Sequence, residues 1–200
     1  MEIAHDAAPW EPWSPWETAR RLKGVDAPWG VAAGWALELF VGESWRHHED
    51  LEVAVAENRF DELRAALGGL ELWVPVGDGR LRPLAEVPRP ASQQTWGLDP
   101  EASAWRIDVF REPADGATWI CRRDQAIRMP STRLVERTTD GIPFVRPEVV
   151  LLFKAKHARE KDEEDFDVVL PRLDRERRSW LRDALQRVHA GHPWLAQLDV

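Results

Sequence analysis

The stretch Trp29 to Val55, WGVAAGWALELFVGESWRHHEDLEVAV, constrains this chain more than any other. Val31 to Ala33 is a short apolar run that ends at Gly34, and the apolar stretch Trp35 to Val41 closes at Gly42, where a helix favours a left-handed residue. The pattern predicts a strand, a tight turn and a short helix. After the polar run Ser44 to Glu49 comes Asp50-Leu51-Glu52-Val53-Ala54-Val55. Side chains alternate across a strand, so Leu51, Val53 and Val55 point one way while Asp50 and Glu52 point the other. Same-face neighbours lie about 6.6 Å apart at Cα, close enough for two carboxylates to share one hard cation such as Mg²⁺. A glycine turn opening a helix offers free backbone N–H groups to an anion. Metal carboxylates facing such a turn are the layout of a phosphoryl or nucleotidyl transfer site.

The composition sets the outer limits. At 200 residues the chain is long enough for a proper core, and 44% hydrophobic with 31% charged residues reads as globular. No apolar run reaches membrane-spanning length and the first residues lack a signal-peptide core, so a cytoplasmic protein with no membrane partner is expected. The single cysteine, Cys121, excludes an internal disulfide framework and a cysteine-based zinc site. A net charge of −8 disfavours a nucleic-acid partner and suits a small, even cationic, substrate. There are twelve tryptophans and no tyrosine, and the indoles are expected to fill core and groove walls.

The segment Ala33-Gly34 followed by Arg46-His47-His48-Glu49-Asp50-Leu51-Glu52 resembles the signature of the DNA polymerase β-like nucleotidyltransferase superfamily. It is most similar to the small antibiotic nucleotidyltransferases that act on lincosamides and aminoglycosides, which carry a Gly-Gly or Gly-Ser turn and then Arg-x-His-x-Asp-x-Asp/Glu. Arg46, His48, Asp50 and Glu52 fall in place. Ala33 stands where the first glycine would be, and Glu52 where aspartate is commoner. The resemblance implies an α+β fold, a mixed sheet flanked by helices and followed by a helical C-terminal part. It implies a third acid on a neighbouring strand, and Trp105-Arg106-Ile107-Asp108-Val109-Phe110 supplies Asp108, which otherwise reads as an exposed-face aspartate. Asp50, Glu52 and Asp108 would then be the catalytic acids and the Mg²⁺ ligands. Gly34 and the flanking Trp35 would lie against the phosphates of ATP or another NTP, and Arg46 would reach a phosphate or clamp an acid. The family's Arg-x-Lys-Asp-x-x-Asp stretch is matched by Arg159-Glu160-Lys161-Asp162-Glu163-Glu164-Asp165, so Lys154 and Lys161 would face the triphosphate and Asp162 would cap the next helix. Glu38 is expected to bond locally and His48 to support the site rather than bind metal.

The rest of the chain fits around this unit. Ser14-Pro15-Trp16-Glu17 is a capping box, predicting a helix from Pro15 to Lys23 with Trp16, Ala19 and Leu22 inward. Asn58 is expected to cap a helix from Arg59 to Leu67, and the Gly77-Asp78-Gly79 turn to join strands Leu70–Val76 and Arg80–Leu84. Residues 85–103 read as a long loop, and short strands are expected at Trp119–Arg123 and Ala126–Met129. From Pro147 onward the pattern is helical. These features divide the chain into an α/β core over 1–145 and a helical part over 146–200. The resulting expectation is a monomeric or homodimeric enzyme that moves a nucleoside monophosphate, AMP from ATP, to a hydroxyl of a small molecule such as an aminoglycoside or lincosamide. The rivals are a non-catalytic nucleotide-binding protein of the same fold and a toxin-type enzyme acting on RNA or protein.

Overall fold

The computed structural model describes residues 1–198. Twelve strands and eight α-helices occur among them. They are β1 (Ile3–Ala4), α1 (Pro15–Arg21), β2 (Trp29–Val31), α2 (Ala33–Val41), β3 (Glu52–Ala56), α3 (Phe60–Ala66), β4 (Glu71–Gly77), β5 (Arg80–Pro83), β6 (Gln94–Asp99) and β7 (Ala104–Glu112). There follow β8 (Ala114–Asp115), β9 (Thr118–Ile120), β10 (Arg128–Pro130), α4 (Ser131–Leu134), β11 (Val135–Arg137), β12 (Pro143–Val145), α5 (Pro147–Lys154), α6 (Glu160–Val169), α7 (Arg175–Val188) and α8 (Leu195–Leu198). Nine strands form one mixed sheet in the order β1-β5-β4-β6-β7-β3-β2-β12-β11, and β8, β9 and β10 form a small antiparallel sheet. The helical stretch expected to run to the end of the chain is seen to Leu198, residues 199 and 200 lying outside the described residues. Among the described residues no helix is long and apolar enough to cross a membrane.

The acidic strand sits at the centre. β3 pairs antiparallel with β2 and parallel with β7, and that parallel register sets Glu52 beside Asp108. Its alternation is as the sequence predicts: Leu51 and Val53 are fully buried and Val55 nearly so, while Glu52 opens on the other face. Below that buried face α3 lays down Phe60, Leu63 and Leu67. On the other side α5 is buried along almost its whole length, which explains its unbroken run Val149 to Leu152. A second cluster, Trp73, Leu81 and Trp105, is covered by Trp10 and Trp96, so the N-terminal lead-in is a lid on the far end of the sheet.

Three expectations need correction. Residues 85–103 are not a loop throughout: β6 lies within them and pairs with both β4 and β7. Its inward positions are Thr95 and Gly97, which leave no apolar signal. Gly97 must stay small because a Cβ there would stand 2.7 Å from Leu70 Cδ1 and 2.9 Å from Ile107 Cγ2. Helix α1 does begin at Ser14, whose Oγ accepts from Glu17 N at 3.2 Å, but Trp16 is 55% exposed while Pro15, Thr18 and Leu22 face inward. Asn58 does not cap α3. It falls in a 3₁₀ turn, and its Nδ2 donates to the Gly116 carbonyl at 2.9 Å.

Helix α2 starts under tension. Ala33, its first residue, has φ +48°, a left-handed conformation that crowds a Cβ against its own backbone. Glycine would take it freely, which is the physical sense of a glycine in this place. Ala33→Gly is therefore expected to stabilise the protein by roughly 0.5–1 kcal/mol, the relief of αL strain less the added freedom of the unfolded glycine. Thermal unfolding should show a rise of about 2 °C; a lower midpoint would mean that the strain is not there.

Candidate active site

A cavity of about 620 Å³ opens over the edge where β3 and β7 begin to run side by side. One end is polar. Asp50 and Glu52 line it from the start of β3, and Asp108 lies next to Glu52 on the neighbouring strand. Parallel partners sit about 4.8 Å apart at Cα, so two acids are forced together with a third close by. Burial and the nearby Asp50 push the Glu52 carboxyl up to about 7, against the pull of Lys154, Lys161 and Arg122. Asp108 is 3% exposed; burial and then Glu52 raise it well above the ordinary carboxylate range, against the pull of Gln94. Gln94 Nε2 donates to Asp108 Oδ2 at 2.5 Å, while Oδ1 is buried with no hydrogen-bond partner. Strand β6 thus reaches the site through Gln94.

These acids suit a hard divalent cation. Their oxygens repel one another in a place that water reaches poorly, and Asp108 Oδ1 lacks a donor. Among the described residues no three His, Cys, Asp or Glu side chains already surround one metal-sized point. Mg²⁺ does not need that, since it ordinarily takes one or two carboxylates and completes its octahedron with water and phosphate oxygens.

Next to the acids, Ala32, Ala33 and Gly34 at the N-terminus of α2 line the cavity, Ala32 N donating to the Glu52 carbonyl at 2.7 Å, and no side chain caps the helix there. Its first N–H groups carry the positive end of the helix dipole. Gly34 was expected to be bare so that phosphate could approach. Instead, the space beside its Cα is filled by protein: a Cβ would collide with Arg46 Nη2 and stand 2.5 Å from His48 Cε1. Trp35 is not in the cavity lining; its indole stacks on His48 at 4.5 Å between ring centres, facing the opposite groove.

The cations divide into engaged and free. Arg46 forks onto Asp165, Nε to Oδ1 at 2.9 Å and Nη2 to Oδ2 at 3.0 Å, and Trp45 Nε1 also donates to Oδ1 at 3.0 Å. Lys154 Nζ lies 2.8 Å from Asp165 and 3.0 Å from Asp162, and the two aspartates are fully buried. An ammonium has three donors, so Lys154 keeps one for the cavity it lines. Burial pushes both aspartates up, but Arg46 and Lys154 more than reverse this at Asp165, and Arg159 and Lys154 bring Asp162 down to about 2. Asp162 also accepts from Arg159 N at 3.1 Å; the helix starts earlier than the sequence indicates, so Arg159 stands at the cap and Asp162 closes the turn from the third helical position. Lys161 lines the cavity and forms no ion pair among the described residues.

His48 supports Arg46. Arginine can only donate, so the 3.1 Å contact from Arg46 Nη1 makes His48 Nδ1 the acceptor and puts the ring proton on Nε2, 3.0 Å from Glu38 Oε1. Burial and then Arg46 lower the His48 pKa, which keeps the ring neutral. Glu38 bonds locally: its Oε1 accepts from Trp45 N at 3.1 Å and Arg46 N at 3.3 Å. Three residues of this site carried no functional signal in the sequence: Gln94 lay in the supposed loop, and Arg122 and Glu112 belong to no recognisable motif. Asp165 closes the Arg-x-Lys-Asp-x-x-Asp stretch, but nothing in the sequence marks its pairing with Arg46.

This architecture is that of the nucleotidyltransferase fold. Among solved structures the chain is similar to the antibiotic-resistance factor ANT(2'')-Ia in solution, at 14% identity, TM-score 0.56, covering 87% of this chain and 92% of that one. It is also similar to ANT(2'')-Ia in complex with adenylyl-2''-tobramycin, at 14% identity, TM-score 0.52, covering 86% and 94%. A further likeness is to the lincosamide antibiotic adenylyltransferase LnuA bound to lincomycin, at 15% identity, TM-score 0.45, covering 70% and 84%. No protein-family model matches the sequence, and no curated protein does. The shared fold is thus the one implied by the sequence resemblance, at an identity that speaks for architecture alone.

Proposed function

We propose that this chain is a nucleotidyltransferase, transferring AMP from ATP to a hydroxyl of a small molecule in the cytoplasm. The observation that carries the reading is that Asp50 and Glu52 line one end of a cavity, with Asp108 buried beside Glu52 on the next strand, and that the same cavity is lined by an uncapped helix N-terminus. Asp50 and Glu52, with Asp108, would hold Mg²⁺, whose chemistry is to neutralise charge on the α-phosphoryl group. The chain's own groups do the rest. The N–H groups of α2, Lys161 and the third donor of Lys154 hold the triphosphate. Asp108, beside Glu52, would complete the metal site or take the acceptor proton. The acceptor oxygen forms a bond to the α-phosphorus, the bond to the β-phosphate oxygen breaks, and pyrophosphate leaves. The helical part from 146 closes over the core from 1 to 145, with Lys154 and Lys161 as its contribution to the nucleotide.

Calorimetry with ATP tests this directly. Wild type should bind ATP only with Mg²⁺, and the double variant Asp50→Ala, Glu52→Ala should lose binding by roughly tenfold or more. No binding of any NTP by the folded wild type, alone or with an acceptor present, would leave a binding protein without this chemistry.

A further inference from the structure

The other end of the cavity is built quite differently. Phe110 and Glu112 continue the face of β7 that begins at Asp108, and Trp119, Leu134, Val145, Val149, Val150 and Phe153 close the walls. At this end the polar groups are Glu112 and Arg122, and they satisfy one another. Glu112 Oε1 accepts from Arg122 Nη1 at 3.1 Å, and Oε2 accepts from the buried Trp119 Nε1 at 3.1 Å. The guanidinium of Arg122 lies 5.0 Å from the ring centre of Phe110 and 4.5 Å from that of Phe153.

Resting on the nucleotidyl-transfer reading, we infer that this apolar end is the acceptor subsite, and that it selects an uncharged hydroxyl compound with an aromatic or alicyclic body. A polyamine acceptor needs carboxylates with free oxygens, and both oxygens of the buried Glu112 are already engaged. An anionic acceptor needs a cation without a partner, and Arg122 is paired and covers two rings. A charge brought here finds no opposite charge to offset its lost hydration. An apolar body loses no such hydration and gains contact with Phe110, Phe153 and the valines of α5. The floor of β7 then points its hydroxyl toward Asp108, one same-face step of about 6.6 Å away from Phe110.

A charge series of one shape tests this. The probes are 1-phenylethane-1,2-diol, which is neutral, 2-amino-1-phenylethanol, a cation, and mandelate, an anion, with tobramycin as a polycation. Their binding is read by ligand-observed NMR in the presence of Mg²⁺ and a non-hydrolysable ATP analogue. The diol should bind at least tenfold more tightly than either charged analogue or tobramycin. Arg122→Gln, which leaves Glu112 a bare anion, should swing the preference to the amine. Glu112→Gln, which leaves Arg122 a bare cation, should swing it to mandelate, so either variant serves if the other fails to fold. Equal or tighter binding of the amine or tobramycin to wild type would overturn the inference, as would displacement of the diol by the ATP analogue, which would give the wall to the base. Binding of the analogue itself is followed separately, so loss of the nucleotide reading is distinguished from loss of the acceptor preference.

Discussion

Replacing Glu52 with glutamine should suppress the proposed nucleotidyl transfer roughly a thousandfold and at the same time raise the melting temperature. The two effects have one cause. Glu52 titrates at about 7 in the folded protein against an ordinary value of 4.5, so its ionised form is disfavoured by folding. The sign follows from that direction: this group does no harm below pH 4.5, weakens the fold as pH rises toward 7, and exacts its full penalty above. That penalty is on the order of 3 kcal/mol, and glutamine, which never ionises, removes it. Unfolding followed by circular dichroism should show Glu52→Gln several degrees more stable than wild type at pH 8 and no different at pH 4. A variant equally inactive but less stable at pH 8 would mean that Glu52 holds the structure together rather than straining it for a ligand.

Asp165→Ala should do the reverse, costing about 3–5 kcal/mol of stability, because it strands Arg46 and Lys154 against buried surroundings. Asp165 joins chain segments distant in sequence, since Arg46 and Trp45 precede β3 while Lys154 ends α5. The same pairing sets the acid limit of the protein. Asp162 and Asp165 are held below 3.8, so what they contribute is present above that pH and is lost as the pH falls toward about 2. Wild type should unfold in that window, whereas Asp165→Ala should already be weakened at pH 7. Urea titrations at pH 7 and pH 3 would settle it: a loss under 1 kcal/mol at pH 7 would make this network no stronger than a surface ion pair.

Much of the architecture could be read in advance because it is written in periodicity. The alternation of Leu51, Val53 and Val55 against Asp50 and Glu52 gave the central strand, and Ile107 and Val109 against Asp108 gave its neighbour. The unbroken apolar run at Val149 gave a helix packed on several sides. What stayed hidden had no period. Strand β6 turns Thr95 and Gly97 inward, so its buried face is silent in hydrophobicity, although it is bounded by close contacts with Leu70 and Ile107. The pairing of Arg46 with Asp165 is equally invisible, since a charge does not announce its distant partner. The sequence pattern sets Gly34 against nucleotide phosphates, whereas the space beside its Cα is filled by this chain's own Arg46 and His48.

The order of strands also says when this site comes into being. From β3 the chain passes out to the hairpin of β4 and β5, crosses back to set β6 on the other side of β4 and then lays β7 against β3, so the contacts of the antiparallel group β5-β4-β6-β7 span less chain than the pairing of β7 with β3. Local pairings of that kind form readily, whereas a parallel pairing must close a long stretch of chain first. That antiparallel group can therefore assemble as one body that carries Asp108 together with Gln94, and its docking brings Asp108 to Glu52. During folding Asp50 and Glu52 are therefore neighbours from the start, and it is the third acid, Asp108, that joins them only when β7 pairs with β3.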